Sequence, residues 1–242
     1  MQTGLYVALS SQIALDKRLA TIADNVANTN TVGFRGTGVK FEELVSGSGQ
    51  GALNFVTPGD TFIPNAAGSY SETGNPFDFA VQGDAWFAIE TPAGTVMTRD
   101  GRFTMRDTGE LVTLQGYAVL DAGGAPIQLD AQAGPPVAGQ DGTLRQNGRL
   151  IGAIGLYQFQ PGESFTRYGN SGIIPSGRPE PIVDRQDVGV VQGFVEESNV
   201  NPVREMMRLI QVQRAFDQIT ALMRDGANAL DGSVRTLGSS RG

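Results

Sequence analysis

The sequence predicts an α+β fold, with long N- and C-terminal helices forming a coiled-coil-like domain and with a central antiparallel β domain. Three observations predict it. Apolar residues recur at steps of three and four near each end of the chain, as on the packed face of a helix. Between the ends the pattern changes to short runs separated by turn residues. Most of the 33 glycines fall in that middle stretch, where tight turns need positive φ.

The first helix is expected over residues 3–29, its seam formed by Leu5, Ala8, Gln12, Leu15, Leu19, Ile22 and Val26. Asn28, Thr29, Asn30 and Thr31 continue a helix poorly, and Gly33 suits a stop. Residues 1–45 therefore form an N-terminal helical segment. Residues 46–76 lose periodicity: a Gly/Ser run at 46–51 is followed by Pro58, Pro64 and Pro76, so this stretch is expected to be an extended connector.

Residues 77–197 are expected to form the β-rich domain. Runs at 85–89 and 95–98 flank Pro92, Ala93 and Gly94 as hairpin partners. Asp100-Gly101 and Asn147-Gly148 are hairpin turn signals. A further turn at 107–110 joins 102–106 to 111–114, a strand follows at 117–120, and 150–159 is one apolar strand. Trp86 and Phe87 belong to the core by size and apolarity. The C-terminal helical segment covers 198–242. Asn201 caps it, Pro202 takes its first position, and Glu205 favours its positive end. Its seam is Leu209, Val212, Phe216, Ile219, Met223, Gly226, Leu230, Ser233 and Leu237. Leu9, Ile13, Met206 and Ile210 lie off the two seams, free for further neighbours. A lone helix with one such stripe is marginal in water, so the ends are expected to take their final order only within an assembly.

Composition narrows the function classes. The net charge of −7 is uneven: residues 1–46 balance at zero, 198–242 carry +2, and the middle holds −9. No basic face is available to follow phosphates, which argues against nucleic acid. The chain has no cysteine and no histidine. That removes thiolate nucleophiles, histidine-dependent triads and the usual zinc ligands, so no cofactor and no metal is expected. The acids Asp184, Asp187, Glu196 and Glu197 lack the regular spacing of a calcium loop and are expected on a solvated surface. Asp78 with Asp84, or Asp100 with Glu110, are carboxylate pairs explained by the turns that hold them, so no enzymatic activity is expected. The N-terminus lacks the pattern of a secretory signal, and no apolar run reaches spanning length, so no cleaved leader and no membrane insertion are expected.

Two stretches carry a resemblance. Ile22 through Arg35, reading IADNVANTNTVGFR, resembles the N-terminal signature of the axial proteins of the bacterial flagellum, the basal-body rod family. The run Glu197-Ser198-Asn199-Val200-Asn201 and the later Leu209-Ile210-Gln211-Val212-Gln213-Arg214-Ala215-Phe216 are similar to the family's C-terminal signature. In the middle, 79–87 and 98–103 also match. Chain length resembles the proximal-rod members more than the distal-rod ones. The resemblance implies a structural, torque-transmitting rod subunit exported through the flagellar type III apparatus. Its partners would be copies of itself and other rod proteins, in the rod that crosses the periplasm. The implied interface residues are Leu5, Leu15, Leu19, Ile22, Val26, Asn25, Asn28, Gly33, Phe34, Leu209, Val212, Phe216, Ile219, Met223 and Leu230. Gly33 would be the φ-permissive turn and Phe34 an anchor on a neighbour. The alternatives are a distal-rod protein of the same family or a secreted oligomeric β-domain binding module, and a periplasmic hydrolase is disfavoured by the missing histidine and cysteine.

Overall fold

The computed structural model describes residues 2–40, 43–46, 53–56, 60–161, 165–183 and 185–239, excepting the side chains of 2–6, 43–46, 53–56, 230, 231 and 233–239. Among these residues there are two helices, α1 (Gln2–Ala27) and α2 (Pro202–Ser239), and twenty strands. The chain divides into two compact units. One comprises Met1–Val26, Thr37–Thr61 and Asn201–Gly242, and the other Ala27–Gly36 with Phe62–Val200.

The helix-bearing unit corrects the expected fold class. It is not a coiled-coil-like domain of helices alone, because the segment between its helical parts carries strands. Gly38–Lys40 pairs with Asp60–Phe62, and Glu43–Ser46 pairs antiparallel with Leu53–Val56. With the other unit almost entirely strand and loop, the chain as a whole is rich in sheet. The physical reason is that heptad spacing records which face of a helix is apolar and says nothing of what covers it. The short runs GVK, ELVS and LNFV are rich in valine, leucine and phenylalanine. ELVS and LNFV satisfy backbone groups by pairing with each other, and GVK by pairing with Asp60–Phe62. The stretch 46–76 thus carries strands at Leu53–Val56, Asp60–Phe62 and Tyr70–Glu72, while its Gly/Ser run at 47–51 lies outside the described residues.

Helix α2 begins as its sequence demands. Pro202 opens it, and the Asn201 side chain accepts from the backbone N–H of Arg204 at 3.0 Å, at the third helical position. Glu205, buried in the first turn, pairs with Arg208 at 2.6 Å. The helix continues unbroken past Gly226 and Gly232.

In the β-rich unit the principal sheet runs Thr166–Tyr168, Gly172–Ile174, Gly94–Thr98, Trp86–Thr91, Ala118–Val119, Leu111–Thr113, Phe103–Met105, with Leu156–Gln158 pairing Trp86–Thr91 from the side. The hairpin expected at 85–98 forms, Phe87 facing Thr98 and Thr91 facing Gly94. Asn147 and Gly148 both adopt positive φ, 49° and 78°, and close the hairpin of Thr143–Gln146 with Arg149–Ala153. Asp100-Gly101 does not close a hairpin, since Gly94–Thr98 pairs with Gly172–Ile174 and Phe103–Met105 with Leu111–Thr113. Gly101 is required for a different reason: a Cβ there would stand 1.8 Å from the Phe79 carbonyl oxygen. The single strand expected at 150–159 breaks into Arg149–Ala153 and Leu156–Gln158, which belong to different sheets. The core is a cluster that includes Phe79, Phe87, Phe103, Leu111, Leu144 and Leu156. Trp86 and Met97 lie in a second cluster on Tyr157 and Ile173.

Candidate functional site

Two features of the chain are built for something other than a core. The first is the path of residues 27–36 inside the β-rich unit. After α1 the chain turns, Thr31 N–H bonding to the Asn28 carbonyl at 3.1 Å and Phe34 N–H to that of Thr31 at 3.2 Å. Gly33 takes a φ of 69° and donates to the Glu196 carbonyl at 2.7 Å. A Cβ on Gly33 would lie 2.2 Å from the Asp100 backbone nitrogen, so both backbone angle and space demand glycine. Phe34 is 0% exposed, with the Arg167 guanidinium 4.4 Å above its ring. The expected anchor on a neighbour is therefore spent within its own unit. Asn199 closes the path: its amide accepts from Gly36 N–H and donates to the Ala66 carbonyl, both at 2.8 Å.

Below this path lies a buried ion cluster. Glu196, at the end of the strand Phe194–Glu196, is 0% exposed. Its Oε2 accepts from Arg99 Nη1 at 3.0 Å, and its Oε1 accepts from Gly68 N–H at 3.1 Å. Arg35 Nη2 lies 2.7 Å from Oε1 as a charge contact without hydrogen-bond alignment. One carboxylate thus faces two guanidiniums, and the surplus positive charge is met by backbone carbonyls. Arg35 donates to those of Asn65 and Ala66, and Arg99 to those of Gly83 (2.8 Å) and Val81 (3.3 Å). Both guanidiniums also lie over the Trp86 ring, at 5.3 Å for Arg99 and 5.9 Å for Arg35. Burial lowers the Arg99 pKa below its ordinary value, opposed by Glu196. Burial first, then the Glu196 charge, pushes the Tyr70 phenol up, and its hydroxyl donates to the Val81 carbonyl at 2.9 Å. The expectation of a solvated acid surface is wrong for Glu196. Its charge is tolerated inside because two cations and a backbone N–H replace its water. Asp187 is exposed and paired with Arg185, and Asp184 lies outside the described residues.

The second feature is the surface of the helix-bearing unit. Of the residues named for an interface, Ile22, Asn25 and Val212 are buried, and Leu15, Leu19, Val26, Leu209, Phe216, Ile219 and Met223 are half-buried. Leu5 and Leu230 fall where side chains are not described. Asn25 pairs with both backbone groups of Thr37, donating to its carbonyl at 2.9 Å and accepting from its N–H at 2.8 Å. Asn28, in the other unit, accepts from the Thr31 hydroxyl at 3.1 Å. Off these seams Leu9, Ile13, Met206 and Ile210 stand exposed, joined by Val203, Met207 and Leu222. Seven large apolar side chains in water on two helices are an unsatisfied surface.

Sequence reasoning missed Glu196, Arg99 and Asn199 as partners of the turn at 27–36. Nothing in a linear pattern joins residues 160 positions apart. Alternation after core Val195 points Glu196 to the opposite face, so the strand pattern gave no sign of its burial.

Three family profiles match the chain. The family profile "Flagella basal body rod protein" matches residues 5–35, "Flagellar hook protein FlgE/F/G D1 domain" matches 80–146, and "Flagellar basal body rod FlgEFG protein C-terminal" matches 191–231. The chain is 68% identical over 239 residues to the flagellar basal-body rod protein FlgF of Mesorhizobium japonicum, covering 99% of each. It is 56% identical to FlgF of Rhizobium meliloti over 241 residues, covering all of both. To the rod protein FlgG of Bacillus subtilis it is 31% identical over 245 residues, covering 89% of this chain and 92% of the other. With near-complete coverage at these identities, the chain belongs to the flagellar basal-body rod protein family, on its FlgF side.

Proposed function

We infer that this chain is a structural subunit of the bacterial flagellar basal-body rod, at its proximal level, and that it has no catalytic role. The observation that carries this is the exposed apolar face of the two terminal helices in a family member. Such a face gains by lying against equivalent helices of other subunits, where side chains such as Ile13, Met206 and Ile210 leave water. The helices would acquire their final rigidity at that moment, coupling the last stage of folding to assembly. An interface between unlike surfaces of successive subunits makes an open stack rather than a closed ring, as a rod requires. Partners are then copies of this chain and neighbouring proximal and distal rod proteins.

Delivery through the flagellar type III apparatus is part of this proposal and rests on membership of the rod family. No helix among the described residues is long and apolar enough to cross a membrane. Inside the β-rich unit, the Arg35–Glu196–Arg99 cluster would hold the two segments from which the helices run on.

Charges placed on the helix seams provide the test. Leu19→Asp or Ile219→Asp should abolish rod assembly and motility while the β-rich unit still folds, seen as unchanged Trp86 fluorescence. Normal swimming by either variant would overturn the assignment.

A further inference from the structure

Residues 189–199 hold together parts of the β-rich unit that lie far apart in sequence. Their first half, Gly189–Gln192, pairs antiparallel with Phe79–Gln82, and their second, Phe194–Glu196, with Tyr70–Glu72. Each pairing is a two-stranded sheet, so among the described residues Tyr70–Glu72 has no other strand partner. Gly193, at a φ of 78°, joins the two halves. It donates to the Asp78 carbonyl at 2.8 Å, and its own carbonyl accepts from Thr73 N–H at 2.8 Å and Gly74 N–H at 3.1 Å. Further on, Glu197 N–H bonds to the Ser69 carbonyl at 2.8 Å, and a Cβ on Gly68 would stand 1.8 Å from the Glu197 carbonyl oxygen.

The turn that follows α1 is held by the same residues. Gly33 N–H goes to the Glu196 carbonyl and Gly36 N–H to the Asn199 side chain, while the Phe34 carbonyl accepts from Asn199 N–H at 3.3 Å. Phe79–Gln82, by contrast, has its own anchorage. Phe79 N–H bonds to the Gly101 carbonyl at 2.9 Å, and the Phe79 ring lies 6.0 Å from that of Phe103. Among the described residues, the strands of the principal sheet pair only with one another. Within 189–199, Val190 and Val195 are the buried apolar side chains. Backbone and polar bonds therefore place this segment more than apolar burial does, and regions of that kind open before a core. We propose that 189–199 is a strap: docked on Phe79–Gln82, it closes 33–36 and 68–74 onto the β-rich unit. When it lifts, the three segments open together while the principal sheet stays folded. The turn leaving α1 and the approach to α2 thus form one latch, fixed or released as a piece. A chain built from its N-terminus cannot close that latch before residue 199 is in place.

The strap goes beyond the rod assignment and does not depend on it. Amide hydrogen exchange of the purified full chain, resolved residue by residue by NMR, is the test. In the unsubstituted chain Gly33, Thr73, Gly74 and Glu197 should share one level of protection. That level should lie about tenfold or more below that of Leu111 and Leu120, whose N–H groups bond to Ile127 and Ala88. Gly193→Ala strains the strap's backbone without a clash, since its Cβ would meet nothing nearer than 3.8 Å. It should speed exchange at Gly33 and Gly36, neither of which bonds to Gly193, by about tenfold. Val112→Ala, a buried position of the principal sheet, should speed Leu111 and Leu120 but leave Gly33 and Thr73 at their original rates. Unmoved exchange at Gly33 in Gly193→Ala would overturn the strap. Equal acceleration of Gly33 and Leu120 in Val112→Ala would do the same, because the unit would then open only as a whole. Should Gly193→Ala not fold, Asn199→Ala takes its place with Gly33 and Thr73 as the readout, and unchanged rates there sink the proposal.

Discussion

Removing the Glu196 carboxylate should unbalance the centre of the β-rich unit. In Glu196→Ala, Arg35 and Arg99 lose the anion within 3.0 Å of each, and two buried guanidiniums are left without their counter-charge. Breaking a buried ion pair by deleting one partner costs about 3–5 kcal/mol, chiefly because the remaining charge stays out of water. Here two charges remain, so the upper part of that range is expected. The Gly68 N–H also loses its acceptor, whereas the carbonyls of Asn65, Ala66, Val81 and Gly83 remain to soften the effect. Urea unfolding of the purified full chain, followed by the single tryptophan, is a local assay, because Trp86 lies under both guanidiniums. With a slope of about 2 kcal/mol per molar urea, the midpoint should fall by about 2 M. Glu196→Gln keeps an acceptor but not the charge and should fall in between. The half-buried neighbour is the control, Glu197→Gln shifting stability by about 0.5 kcal/mol or less. Equal midpoints for Glu196→Ala and Glu197→Gln would refute the reasoning that the cluster, rather than burial in general, holds this region.

Three further outcomes follow from the same geometry. Gly33→Ala meets the Asp100 backbone at 2.2 Å and a φ of 69°, and should cost about 2–4 kcal/mol in the same urea assay; wild-type stability would contradict the close approach. Asn201→Ala removes the cap at Arg204 N–H and should cost about 1 kcal/mol of helix stability, visible as reduced helical circular dichroism on mild heating. The phenols of Tyr70, on a partly exposed side chain, and of buried Tyr157 are pushed above their ordinary value, in each case first by desolvation. An acid raised in the folded state contributes stability that is complete below its unfolded value and is lost as pH climbs through the folded one. The urea midpoint should therefore decline above about pH 10, and less steeply in Tyr70→Phe; a midpoint unchanged at alkaline pH would exclude this.

The elements whose signals are local were legible in the amino-acid sequence. Asn201 and Pro202 start a helix because one side chain and one fixed φ satisfy its first turn, whatever lies around it. Asn147-Gly148 closes a hairpin because those two residues alone tolerate its backbone. The terminal stripes likewise identify which helix faces are least exposed, and the absence of cysteine and histidine confines the chemistry. What escaped depends on partners distant in sequence. Asp100-Gly101 resembles a hairpin turn, yet its glycine is needed against the Phe79 carbonyl, and the strand before it pairs with residues some seventy positions later. Gly38–Lys40, Glu43–Ser46, Leu53–Val56 and Asp60–Phe62 are strands because each finds a partner strand among the others, a choice that heptad counting cannot see.

Sequence by itself determined the two helical ends, the β-rich middle and the family signature around Gly33. Tertiary structure alone decided that Phe34 and Arg35 turn inward, that Glu196 is their buried counter-charge, and that helix and strand share the terminal unit. The difference is physical. Propensity, capping and turn chemistry act over a few residues, whereas a buried charge becomes affordable only when the whole fold brings its partners to hydrogen-bonding distance.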